Sequence, residues 1–94
     1  MILYKCYLYG CSYNIKMDEV TRLYNQKNYG LALEKAKQAN NEEGMEFMLA
    51  KIYWAMEEPD MAENYFIYAI DNNPNNEQYR LTMGQFYFHQ EMYS

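Results

Sequence analysis

The 94-residue chain reads as an all-α domain, and three observations carry that reading. Val, Ile and Thr are too scarce to build a sandwich or barrel. Apolar positions recur at i, i+3 and i+4 through most of the chain, the spacing of a helix with one buried face. The breaks between these stretches are short and polar, which suits helices folded back on one another. The length allows one small domain. About five helices are expected, folded back on one another in pairs.

The elements follow in order. Residues 1–13 form an apolar leader or extension, with a break in pattern at Gly10-Cys11-Ser12-Tyr13-Asn14. This leader is either a strand or extra helix on the first repeat, or, with residues 14–16, an upstream stretch before a start at Met17. Asp18 to Gln26 places Val20, Leu23 and Tyr24 on one face. Asn28-Tyr29-Gly30 interrupts, and Leu31 to Asn40 resumes with Ala32, Ala36 and Ala39. After Asn40-Asn41-Glu42-Glu43-Gly44, the most apolar helix spans Met45 to Met56. Pro59 suits the first turn of the next helix, where a missing N–H costs little, and that helix runs over Met61 to Ile70. The Asn-rich segment 71–76 stops it, and Glu77 to Gln90 is the last helix, before a tail at 91–94.

The aliphatic core is lean, since Leu, Ile, Val and Phe together make up less than a fifth of the chain. The 12 Tyr and 8 Met must complete it. The net charge of −5 is unevenly spread, with a basic excess over residues 1–40 and a strongly acidic one over 41–94. Such a balance argues against nucleic-acid binding, which wants a concentrated basic face. It fits solvated helix faces of differing sign, or head-to-tail contact between copies. No stretch approaches the roughly 20 apolar residues of a membrane span, and no secretory signal is evident, so the expected location is the cytoplasm. Cys6, Cys11 and a distant His89 do not make a metal site, and no cofactor is expected. The acidic pairs fall at turns and helix starts, where they favour the helix dipole. With one His, no phosphate loop and no nucleophile–base pair, no enzyme activity and no catalytic residue is expected.

Two internal offsets organise the helices into pairs. Ala32, Ala36 and Ala39 return as Ala62, Phe66 and Ala69, each displaced by the same distance along the chain. Leu49, Ala50 and Tyr53 return in the same way as Met83, Gly84 and Tyr87. Together with Pro74, residues 43–76 resemble a tetratricopeptide repeat, with a large–small–aromatic first helix and a small–aromatic–small second one. Glu46 stands where that family often has Trp, and Ala50 where it prefers Gly. The resemblance extends to a preceding repeat at about 14–41 and a capping half-repeat at 77–90. The junction from Ala39 to Leu49 is shorter than the family's unit expects, nearer the tight links of Sel1-like repeats.

The resemblance implies a short α–α superhelix of helix–turn–helix repeats, about five helices in all, and a protein-interaction module rather than a named pathway. First helices of such arrays line a concave groove, here by resemblance Met17, Thr21, Tyr24, Phe47, Lys51, Trp54, Gln78, Leu81, Gln85 and Phe88. Apolar residues stand where a chaperone-type carboxylate clamp would need polar ones, so a short apolar or amphipathic peptide is the expected ligand. The alternatives are that these aromatics finish the core, a homodimer through residues 77–94 or the N-terminal segment, and a small chaperone of the same family.

Overall fold

The computed structural model describes residues 11–40 and 42–93. Five helices follow one another, α1 (Cys11–Asn25), α2 (Tyr29–Gln38), α3 (Met45–Ala55), α4 (Pro59–Asn72) and α5 (Glu77–Tyr93). Each packs on the next, and α1 also touches α3. No strand occurs among the described residues.

Each boundary has a local cause. No Gly or Pro lies between Cys11 and Asn25, so the helix continues through the break expected at 11–14 and takes in the end of the expected leader. Residues 1–10 of that leader lie outside the described residues. At the far end, Lys27 adopts φ +63° and Asn28 donates its N–H to the Leu23 carbonyl at 2.9 Å. Lys27 N–H also reaches the Tyr24 carbonyl at 3.0 Å. These crossed bonds satisfy the last carbonyls of α1 and reverse the chain within a short turn. The turn therefore lies at 26–28, and Tyr29 and Gly30 already belong to α2 rather than interrupting it.

The same device closes α3. Glu57 has φ +61°, Glu58 N–H bonds the Tyr53 carbonyl at 2.9 Å, and Glu57 N–H bonds the Trp54 carbonyl at 3.0 Å. Tyr53, Trp54, Glu57 and Glu58 thus repeat the roles of Leu23, Tyr24, Lys27 and Asn28, in the same order and spacing. Pro59 then opens α4, where its fixed φ suits the helix and its absent N–H leaves nothing unpaired. Between the hairpins, Gly44 at φ +86° turns the chain into α3. An added Cβ there would meet Met17 Cε at 3.5 Å and Tyr79 Oη at 3.6 Å. Asn76 Oδ1 accepts from Tyr79 N–H at 3.2 Å, capping the first turn of α5. α5 then runs to Tyr93, taking in most of the expected tail.

The core follows the small-residue positions. Ala32, Ala36 and Ala39, on and just after α2, are buried, as are Ala62, Phe66 and Ala69 of α4. α3 is the central element, with Met45, Phe47, Met48, Leu49, Ala50, Ile52 and Tyr53 all buried. Val20 and Leu23 of α1 and Phe86 of α5 complete the cluster, and no polar or charged side chain is buried among the described residues. Aromatic edges lock its middle. Phe66 meets Phe47 at 6.0 Å, Trp54 at 6.2 Å and Phe86 at 5.3 Å between ring centroids. Such pairs contribute about 0.5–1.5 kcal/mol beyond their area.

Candidate recognition cavity

A cavity of about 730 Å³ opens where α1, α3 and α5 converge near the two hairpin turns. Its walls are Tyr24 of α1, Lys51, Trp54 and Ala55 of α3, and His89 and Gln90 of α5, with Glu57 and Pro59 at the rim of the second turn. Tyr24 and Trp54 are counterparts in the two hairpins, each the carbonyl partner of a turn N–H. The repeated turn thus sets two rings at equivalent places along the wall.

Lys51 stands over two rings, Tyr24 and Phe47. Its Nζ stands 5.2 Å from the centroid of Tyr24 and 5.4 Å from that of Phe47. A half-buried ammonium against two ring faces is held by their quadrupoles, worth about 0.5–2 kcal/mol. The aromatic wall continues on both sides. Phe47 stacks on Tyr79 at 4.3 Å and 20°, and Tyr24 tilts against Tyr29 at 5.6 Å. Trp54 makes edge contacts with Phe86 at 5.3 Å and His89 at 5.8 Å. Burial, and then the neighbouring Tyr29, hold the Tyr24 hydroxyl above its ordinary pKa, so it stays a neutral donor. Tyr79 is raised likewise, first by burial and then by Glu43 and Glu46.

The expected groove residues separate into two sets. Tyr24, Lys51 and Trp54 line the cavity, Met17 and Thr21 lie half-buried along α1, and Phe47 is buried beneath Tyr79. Gln78, Leu81, Gln85 and Phe88 do not join them. All four are exposed on α5, and its contribution to the cavity is His89 and Gln90. The cause is the rotation of α5, which turns Tyr79 and Phe86 inward to meet Phe47 and Trp54. The same rotation sets His89, an exposed residue, beside Trp54 in the wall. Its place one turn after Phe86 was the signal available for it.

The packing positions of α5 also differ from those of α3. Met83 is half-buried, Tyr87 is exposed, and nothing lies within 4 Å of where a Cβ on Gly84 would stand. Gly84 therefore mediates no close helix approach. Tyr87 instead donates its hydroxyl to Glu63 Oε2 at 2.6 Å, tying α5 to α4. Pro74 sits exposed in the 73–76 turn, where its carbonyl accepts from the Arg80 guanidinium.

Compared with known proteins, the chain matches no family model, no curated protein and no solved structure. No group of three His, Cys, Asp or Glu among the described residues can hold a metal ion. No helix among them is long and apolar enough to cross a membrane. A second, smaller hollow of about 220 Å³ lies beside the α1–α2 hairpin, where Lys35 Nζ and Glu19 Oε2 stand 3.9 Å apart. Both partners of that pair are well exposed, so it contributes little.

Proposed function

We propose that this chain is a non-catalytic helical-hairpin module, similar to tetratricopeptide repeats, that binds a short apolar or amphipathic segment of a partner protein. The repeat reading is supported by the two turns, whose hydrogen bonds match residue for residue. It is supported too by small residues at the buried faces of α2 and α4. The binding reading rests on one observation, Lys51 held between Tyr24 and Phe47 in the wall of a cavity that also presents Trp54. Tyr and Trp offer large, stiff contact area at small entropic cost, and they dominate binding energy in interfaces. The lysine stem adds apolar surface while its ammonium sets one polar anchor. On this reading the protein works in the cytoplasm without cofactor, metal or nucleic acid.

Trp54 is the chain's only tryptophan and therefore reports the cavity directly. Linear peptides selected from a displayed library against the full chain would be titrated while Trp54 emission is followed. Selected peptides are expected to carry a large apolar anchor and to shift that emission. Tyr24→Ala with Lys51→Ala is expected to weaken them at least ten-fold while leaving helix content unchanged. Equal affinity for the double variant, or no selectable peptide, overturns the proposal.

A further inference from the structure

α5 carries two apolar seams on opposite sides. The inner seam is Tyr79, Met83, Phe86 and Gln90, all at least half-buried, with Phe86 packed on Trp54 and Phe66. The outer seam is Gln78, Leu81, Gln85, Phe88 and Met92. Its alternating steps of three and four are those of a two-stranded helical contact. Each outer residue from Leu81 to Met92 stands two positions after an inner one, a rotation of about 200° around the helix. Leu81 is 65% exposed, Phe88 64% and Met92 61%, the three most exposed large apolar side chains among the described residues. A helix apolar on both sides is ordinarily covered on both sides.

We propose that the outer seam of α5 pairs with the same seam of a second copy of this chain, forming a two-fold symmetric dimer. Two features favour a second copy as the occupant, and a third sets how tightly it is held. A single stripe with this spacing is complementary to itself about a two-fold axis, so no other surface has to supply a match. Charge permits it: in a chain of net charge −5, the seam holds no charged residue, and the acidic and basic side chains of α5 are only Glu77, Arg80 and Glu91. Two acidic molecules can therefore approach along this line with the least repulsion. The area sets the strength. Three side chains of this size expose a few hundred Å² per copy, below the ~800 Å² per partner of a standard interface. The dimer is accordingly weak, with a dissociation constant on the order of 10–100 µM.

The central glutamine sets the orientation. In a parallel pair Gln85 meets its own copy, and each amide can donate to the other. In an antiparallel pair Gln85 faces Phe88 and its amide loses that partner. The parallel arrangement is the one inferred. This surface is separate from the cavity, so the proposal does not depend on peptide binding.

Sedimentation equilibrium of the full chain between 5 and 500 µM tests it. The wild type is expected to pass from monomer to dimer across that range. Leu81→Lys with Phe88→Glu is expected to raise the dissociation constant at least thirty-fold. Both positions face solvent, so the variant keeps its helix content and melting transition. Gln85→Leu is expected to strengthen association about ten-fold, the opposite sign. A wild type that stays monomeric at 500 µM overturns the proposal. So does a dimer insensitive to both changes, which would place the contact elsewhere.

Discussion

In the α1–α2 hairpin the centre of the second helix is Ala36, and in the α3–α4 hairpin the matching residue is Phe66. Both are fully buried. The first helices differ in the opposite sense, since Val20 of α1 corresponds to Ala50 of α3. The turns are alike in hydrogen bonding and in left-handed φ, with Lys27 and Glu57 as counterparts. Matching turns therefore join hairpins in which the bulk has moved from one helix to the other. The turn sets the reversal, and side-chain volume sets what the pair can cover. The second hairpin uses its phenylalanine to reach α5 through Phe86, whereas the first has no aromatic at that centre.

The largest test of this difference is Phe66→Ala. It would leave a cavity among Phe47, Trp54 and Phe86, and we expect a loss of about 3–5 kcal/mol in urea unfolding. If the first hairpin could use the same solution, Ala36→Phe would be tolerated. With no exposed surface at Ala36 and Val20 already buried in α1, overpacking should cost about 1–3 kcal/mol in the same assay.

The turns should respond alike where the cores do not. Lys27→Gly and Glu57→Gly each relieve a left-handed backbone, for an expected gain of about 0.5–1 kcal/mol in thermal unfolding. The two gains should agree within a few tenths of a kcal/mol. A clear gain at one turn alone would break the equivalence of the hairpins.

The smallest expected effect concerns the link that joins the second hairpin to α5. The Tyr87 hydroxyl, held first by its hydrogen bond to Glu63 and then by burial and that carboxylate's charge, has its pKa pushed up to about 12 from 10.0. The folded state keeps this proton more firmly than the unfolded one. Its contribution is therefore complete below pH 10 and is lost as pH rises from 10 towards 12. Tyr87 is well exposed, so solvent screens the bond, and Tyr87→Phe should cost only about 0.5 kcal/mol near neutral pH. Urea unfolding across that alkaline range should show the gap between variant and wild type shrinking.

How far the fold could be read depended on the signal each residue gives alone. Pro59 marked the start of α4 because its missing N–H and fixed φ leave it few other places. The left-handed residues gave no such sign. Lys27 and Glu57 are not glycines, and the first turn was accordingly expected too late, at Asn28-Tyr29-Gly30. The cavity was half legible. Tyr24, Lys51 and Trp54 were named by the resemblance to tetratricopeptide repeats, as groove-facing positions of the first and third helices. His89 and Gln90 were not, because α5 has two apolar sides.

Local chemistry along the chain was enough to determine the helical class, the order of the helices and the small positions on their buried faces. Those features follow from short-range sterics and from 3.6-residue periodicity, which every helix expresses by itself. Contacts between helices decided which seam of α5 turns inward. Its two sides are similarly apolar, and only stacking of Tyr79 on Phe47 and of Phe86 against Trp54 and Phe66 distinguishes them. That choice puts His89 beside Trp54 in the cavity and leaves Leu81, Phe88 and Met92 facing outward.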